Sequence, residues 1–339
     1  MKNILKIVLL ISLLCLLAEG LYRLLLFQHD RHAYSAPLAQ MIDTINATGA
    51  DILYLGESSN HTFGLDDIDT AWISEMIARH YPTLQLRDMT HDASHGEVYY
   101  LLLRNLSPDC PIGSVVVTLN MRSFGINWIA SPLETVLQKR LVMLRQRPAL
   151  VNRAVLSFKA YEIKSTDERY QQMNDYWASH PLPHHPSVPQ WGDSVNAQSV
   201  ATKGSNAALG TMPGTFVRNY AFLIDTLHNP RIHDFDRIAR LAKQRGWNLV
   251  FNLLAEDVEW AEQLVGPDLT TLMRQNADLL TDYYTRKGVT VVNNFDCVPD
   301  SLFRDRDWTT EHYIQQGRQT IADNVATALR RFHEADYRP

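Results

Sequence analysis

Apolar and polar positions along the chain follow two rhythms. Short, nearly continuous apolar runs occur at Asp51 to Leu55, Leu84 to Met89, Ser114 to Leu119, Trp247 to Leu254 and Val289 to Asn293. Between them, apolar residues recur at helical spacing, as in Trp72, Ile73, Met76 and Ile77 and from Phe235 through Leu241. A last helix is expected from about Ile314 to Phe332. Strands that alternate with helices build βαβ units and a parallel sheet. Runs such as Val115-Val116-Val117 and Leu249-Val250-Phe251 suit strands covered by helices on both faces. The pattern predicts an α/β domain over residues 51–335, and a chain of 339 residues carries enough apolar material to build its core without staples.

Before the first strand the rhythm is different. Lys2 and Lys6 precede an apolar run from Ile7 to Ala18, which Leu24 to Phe27 continues after Glu19 and Arg23. A cleaved signal peptide would use the short core, with Ala18 and Gly20 as small residues at a cleavage site. An uncleaved anchor would use Ile4 to Phe27, about the 20 residues that a bilayer requires. The anchor is the reading adopted for residues 1–27, with 28–50 as a linker. Under either reading the leading lysines stay inside and the rest of the chain is exported; with the anchor retained, the protein is single-pass in the cytoplasmic membrane with its domain outside.

One interval breaks the alternation. Residues 165–214 are polar, hold several prolines and include Trp177, His180, His184, His185 and Trp191. They read as an inserted, lid-like segment with little regular structure. Its histidines have no carboxylate at ligand spacing, so no metal is expected.

The cysteines change little: Cys15, Cys110 and Cys297 lack the paired spacing of a zinc site, and a Cys110–Cys297 bridge is the one intrachain disulfide that is open. The net charge of −5 with no long basic run excludes the footprint of a nucleic-acid binder. No Gly-x-Gly-x-x-Gly or P-loop is present, and no cofactor is expected.

Four short elements carry candidate chemistry, each just after an expected strand or just before the last helix. The first strand runs into Gly56-Glu57-Ser58-Ser59, so Ser58 stands at a carboxyl-terminal strand end, where open α/β sheets bind ligands and backbone N–H groups can hold an oxyanion. Taken alone it is also an ordinary strand-to-helix turn with a serine cap. Gly96 follows the second strand in Ser94-His95-Gly96-Glu97 and lets the backbone approach a ligand. Asn120 ends the third strand, where its amide can donate to developing negative charge. His312, in Asp307-Trp308-Thr309-Thr310-Glu311-His312, precedes the last helix with carboxylates nearby, as a base that activates a serine requires.

In this order the four elements resemble the blocks of the SGNH/GDSL hydrolase superfamily. The first block, Gly-Asp-Ser with a later glycine, is similar to Gly56-Glu57-Ser58 and Gly64, with Glu in place of Asp. The resemblance implies a flavodoxin-like three-layer sandwich around a central parallel sheet, the SGNH hydrolase fold. It implies Ser58 as nucleophile, the Gly96 N–H and the Asn120 side chain as oxyanion donors, and His312 as base. Of the third block only the asparagine survives, in Thr118-Leu119-Asn120-Met121. The aspartate that the family places three residues before its histidine is Thr309 here, so the orienting acid is Asp307 or Glu311, with Asp307 preferred and Asp305 a third possibility.

A narrower resemblance is to envelope-anchored members of the superfamily, the D-alanyl-lipoteichoic-acid transfer and alginate O-acetylation proteins. It implies a serine esterase or O-acyltransferase acting on acyl esters of a cell-envelope glycan, with acetyl as the favoured group. The implied partners are that glycan, the membrane through the N-terminal segment, and a membrane-bound O-acyltransferase. Against this stands a non-catalytic envelope assembly or polysaccharide-binding protein that keeps the fold, suggested by Thr309 and Glu57.

Overall fold

In the computed structural model five strands form one parallel sheet: β1 (Ala50–Gly56), β2 (Leu86–Thr90), β3 (Ile112–Leu119), β4 (Asn248–Leu253) and β5 (Thr290–Asn293). Residues 2–183, 185, 187–203, 207–305, 308–309 and 311–339 are described, with backbone alone at 202–203 and 207–210. The strand order is β2-β1-β3-β4-β5, every neighbouring pair parallel, which is the flavodoxin-like order expected. All five expected strands form, with ends shifted by a few residues.

The apolar runs of the strands divide by parity. Ile52, Tyr54, Val116 and Val250 face one side, where the helices Ile73–Arg79 and Gln315–Leu329 bring Met76, Ile77, Ile321 and Val325. Leu53, Leu55, Val115, Val117, Leu249 and Phe251 face the other, beneath the helices Gly96–Arg104, Pro230–Arg245 and Pro267–Arg286. Alternate residues therefore enter two separate cores, and a strand buried on both sides has no polar face to show.

Two expectations about irregular segments do not hold. The stretch 28–50, read as a linker, folds as the helices Phe27–Ser35 and Leu38–Thr48 and is part of the domain. Leu38, Ile42 and Ile45, at spacings of four and three, bury against the sheet-side core. The interval 165–214, expected to lack regular structure, holds the helices Thr166–Ser179 and Val188–Lys203 and the start of Ala207–Tyr220. Met173 with Trp177 and Trp191 with Val195, each pair four residues apart, seat these helices in the main core. His184 lies outside the described residues, and among the described residues no cluster of metal-ligating side chains occurs. Cys110 and Cys297 are both free thiols.

The N-terminal helix Lys2–Leu25 is long and apolar enough to cross a membrane, with a mean hydropathy of 2.4 in its most apolar 18-residue window and none of that window buried in the protein. Its last turns touch the domain. Glu19 accepts from the N–H groups of Ala149 (2.6 Å) and Leu150 (2.9 Å), at the start of the helix Ala149–Ser157. Tyr22 is buried, with its hydroxyl 2.7 Å from Asp30 Oδ2.

Candidate active site

The chain leaves β1 toward β2 on one side and returns to β3 on the other, so the carboxyl ends of β1 and β3 flank the point where the winding reverses. Ser58 and Asn120 each follow one of those ends. Gly56 closes β1 in a space where a Cβ would lie 2.9 Å from the Tyr54 ring and 3.0 Å from Asn60 Cβ. Glu57 then turns the chain: its carboxylate Oε1 accepts from Ser59 N–H at 3.1 Å and caps the single helical turn Ser58–His61. Asn60 fixes that turn, donating to Thr90 Oγ1 at 2.8 Å and accepting from Ser74 N–H at 2.8 Å.

Ser58 Oγ lies 2.9 Å from His312 Nε2, across 254 residues of sequence. It also lies 2.9 Å from Glu57 Oε2. The neighbouring Ser59 is wholly buried, and its hydroxyl has no partner among the described residues.

The other ring nitrogen of His312, Nδ1, stands 2.5 Å from Asp305 Oδ2. A local antiparallel bridge creates this pair. Phe303 bridges Tyr313, Arg304 N–H donates to the His312 carbonyl at 2.9 Å, and Ile314 N–H donates to Leu302 O at 2.9 Å. The bridge sets Asp305 face to face with His312.

The three carboxylates considered as the orienting acid differ in their placement. Asp307 lies outside the described residues. Glu311 is turned from His312 into the interior, 1 % exposed, where Arg122 donates to it through Nε (3.0 Å) and Nη2 (2.7 Å). Among the described residues, Asp305 is the carboxylate against the imidazole. Thr309, three residues before His312, is buried and accepts a hydrogen bond from Asn219 at the end of the Ala207–Tyr220 helix.

The two oxyanion candidates are positioned by different contacts. Asn120 Oδ1 accepts from Ser123 N–H at 3.3 Å, while its Nδ2 has no partner among the described residues and remains a free donor. Gly96 opens its helix behind the cap of His95. A Cβ there would come within 2.8 Å of Asp234 Cβ, so the glycine admits the Pro230–Arg245 helix, a packing reason that stands beside the chemical one.

Sequence reading missed a buried polar group behind the site. Glu256, just past β4, accepts from Tyr220 OH at 2.6 Å. Burial and then the charge of Glu311 push its carboxyl well above the ordinary range, and the same two causes push Glu57 up. Arg122 rests on the Trp128 ring, 4.9 Å from the centroid. The available signal was Arg122 itself, two residues after the strand-end Asn120, although nothing local names its partner 189 residues away.

A cleft of about 530 Å³ opens beside Asp305, between Leu65 and Ile68 on one side and Phe303 and Arg304 on the other. Leu65 and Ile68 are almost fully exposed on its rim.

No family model and no curated protein matches the chain. Among solved structures it is similar to a GDSL-like lipase from Bacteroides thetaiotaomicron VPI-5482, with 10% identity over 87% of this chain and 97% of that one and a TM-score of 0.36.

Proposed function

We propose that the protein is a serine esterase or O-acyltransferase, anchored in the cytoplasmic membrane with its domain outside, acting on acyl esters of a cell-envelope glycan. The observation that carries this reading is the file Ser58 Oγ, His312 Nε2, His312 Nδ1, Asp305 Oδ2, with consecutive separations of 2.9 and 2.5 Å, in the crevice between the ends of β1 and β3. A hydroxyl is a weak nucleophile until a neighbouring base takes its proton, and an imidazole held by a carboxylate is such a base.

In the reaction proposed, His312 Nε2 takes the Ser58 proton as Oγ attacks the ester carbonyl carbon. The N–H groups of Ser58 and Gly96 and the Asn120 amide stabilise the oxyanion. The carbon–oxygen bond to the alcohol breaks, His312 returns the proton to the leaving oxygen, and an acyl group is left on Ser58. Water then releases it in an esterase, or a sugar hydroxyl accepts it in a transferase. Acetyl is the acyl group favoured, and a membrane-bound O-acyltransferase is the proposed source of acyl groups in the transfer direction.

The test uses the full chain in detergent micelles with a fluorophosphonate probe. Labelling is expected on Ser58, abolished in Ser58→Ala and His312→Ala and retained in Ser59→Ala. Labelling that survives the first two changes would rule out the reading, and so would loss in Ser59→Ala alone. Acetate release from an acetylated envelope polysaccharide, with and without an added sugar acceptor, separates hydrolysis from transfer.

A further inference from the structure

Behind Ser58 three carboxyl groups share one guanidinium. Glu57 is 4 % exposed, and Glu256 and Glu311 are 1 % exposed. Arg122 gives both arms of its fork to Glu311. Glu256 has the Tyr220 hydroxyl on one oxygen, and its other oxygen has no partner among the described residues. The remaining titratable groups around Glu57 are His312, which shares the Ser58 hydroxyl with it and has Asp305 on its other nitrogen, and the buried phenols of Tyr54 on β1, Tyr99 on the Gly96–Arg104 helix and Tyr313 beside His312. These phenols carry no positive charge to offset an anion. A buried carboxylate without a cation of its own gives up its charge and keeps a proton.

Hydrogen counting at Ser58 leads to the same place. The hydroxyl has one hydrogen and two partners, Glu57 Oε2 and His312 Nε2, each 2.9 Å away. Asp305 faces Nδ1, so in the neutral imidazole Nδ1 carries the ring hydrogen and Nε2 offers a lone pair. That lone pair needs the hydroxyl hydrogen. The contact with Glu57 then lacks a hydrogen unless Glu57 supplies one. If Glu57 were ionised it would capture the hydroxyl hydrogen, and Nε2 could bond Ser58 only as imidazolium, a base already occupied by its proton.

We infer that Glu57 is a positioning residue: its neutral carboxyl donates a hydrogen bond to Ser58 Oγ and so reserves the hydroxyl hydrogen for His312. The inference rests on the proposed Ser58–His312 chemistry and deepens it. Glu57 keeps its proton throughout; its hydrogen bond orients the Oγ lone pairs, and His312 alone removes the hydroxyl hydrogen. As pH rises through the ionisation of Glu57, the serine hydrogen is diverted and nucleophilicity falls.

The experiment measures fluorophosphonate labelling rate against pH in the full chain and in two variants. Wild type is expected to lose rate at alkaline pH. Glu57→Gln, whose amide can donate the same bond but cannot ionise, is expected to keep labelling within about tenfold at neutral pH and to show no alkaline loss. Glu57→Ala, with no donor, is expected to lose about tenfold or more. An alkaline loss that persists unchanged in Glu57→Gln overturns the inference while leaving the Ser58–His312 reading intact. A wild type that never labels overturns both. Should the glutamine variant not fold, infrared spectra of the Glu256→Gln chain carrying ¹³C-carboxyl glutamate read the group directly: a protonated-carboxyl band at pH 7 is expected, and its absence overturns the inference.

Discussion

Arg318 Nη1 donates to Asp67 Oδ2 at 2.7 Å, with Arg318 wholly buried, and this pair ties the loop after Ser58 to the helix after His312. The guanidinium also donates to the carbonyls of Asp69 (2.6 Å), Tyr313 (3.1 Å) and Ala71 (3.2 Å). Asp67 in turn accepts from Gly64 N–H at 2.7 Å and Gln315 N–H at 3.0 Å. Removing one member of a buried ion pair leaves the other uncompensated, so Arg318→Ala is expected to lower stability by about 3–5 kcal/mol. Arg318→Lys is expected to recover little, because a point charge cannot serve carbonyls in several directions as a planar fork does. Urea denaturation of the full chain in detergent reads both, and a loss under 1 kcal/mol in Arg318→Ala would contradict the tie.

The pairing of Asp305 with His312 makes a prediction about rate. In Asp305→Asn the amide can present its nitrogen to Nδ1, which favours the tautomer with hydrogen on Nε2 and takes away the lone pair that Ser58 requires. Probe labelling is expected to fall by about 10²- to 10⁴-fold with the fold intact. Glu311→Gln acts differently, because it strips Arg122 of its buried partner and should appear first as lost thermal stability. If the two variants exchanged these phenotypes, Glu311 would be the orienting acid after all.

Ser58 and His312 were legible because both belong to places that a sequence marks: the end of an apolar strand and the start of the last amphipathic helix. The sheet was legible for the same reason, since strands buried on both faces leave unbroken apolar runs. Asp305 was legible only as a distant possibility, because the Phe303–Tyr313 bridge reaches across the loop and a fixed Asp-x-x-His spacing assumes a local turn. The helices at 28–50 and 165–214 were hidden by sparse apolar positions among polar ones. Leu38, Ile42 and Ile45 suffice to dock a helix, yet make a weak stripe in a polar stretch. The group Arg122, Glu256 and Glu311 was not legible, because its members come from three distant segments and are joined only by folding.

Glu256 offers a test by pH. Burial and the neighbouring Glu311 charge raise its carboxyl well above the usual range, so the folded protein holds a proton that the unfolded chain releases at ordinary carboxylate pH. The sign follows: the neutral form costs nothing below the unfolded value, and as pH rises above it, proton release favours unfolding until the folded group ionises. Glu256→Gln removes that linkage while keeping an acceptor available for Tyr220 OH. Its midpoint of thermal unfolding is expected to exceed that of wild type at pH 8, with the advantage shrinking toward pH 4. An equal difference at both values would mean that Glu256 is ionised in the fold.

The contact between the N-terminal helix and the domain can be tested at Glu19. Its two oxygens take the first two N–H groups of the Ala149–Ser157 helix, groups that have no acceptor within that helix and sit at its positive end. Pro148 precedes them and supplies no side-chain cap, so the carboxylate does from another helix what an N-cap does from within. Glu19→Ala is expected to cost about 1 kcal/mol, the usual value of a lost cap. Because the loss is local, amide hydrogen exchange should speed at Ala149 and Leu150 while β1 and β3 keep their protection. Unchanged exchange at those two amides would show that the apolar helix and the domain are not joined at this point.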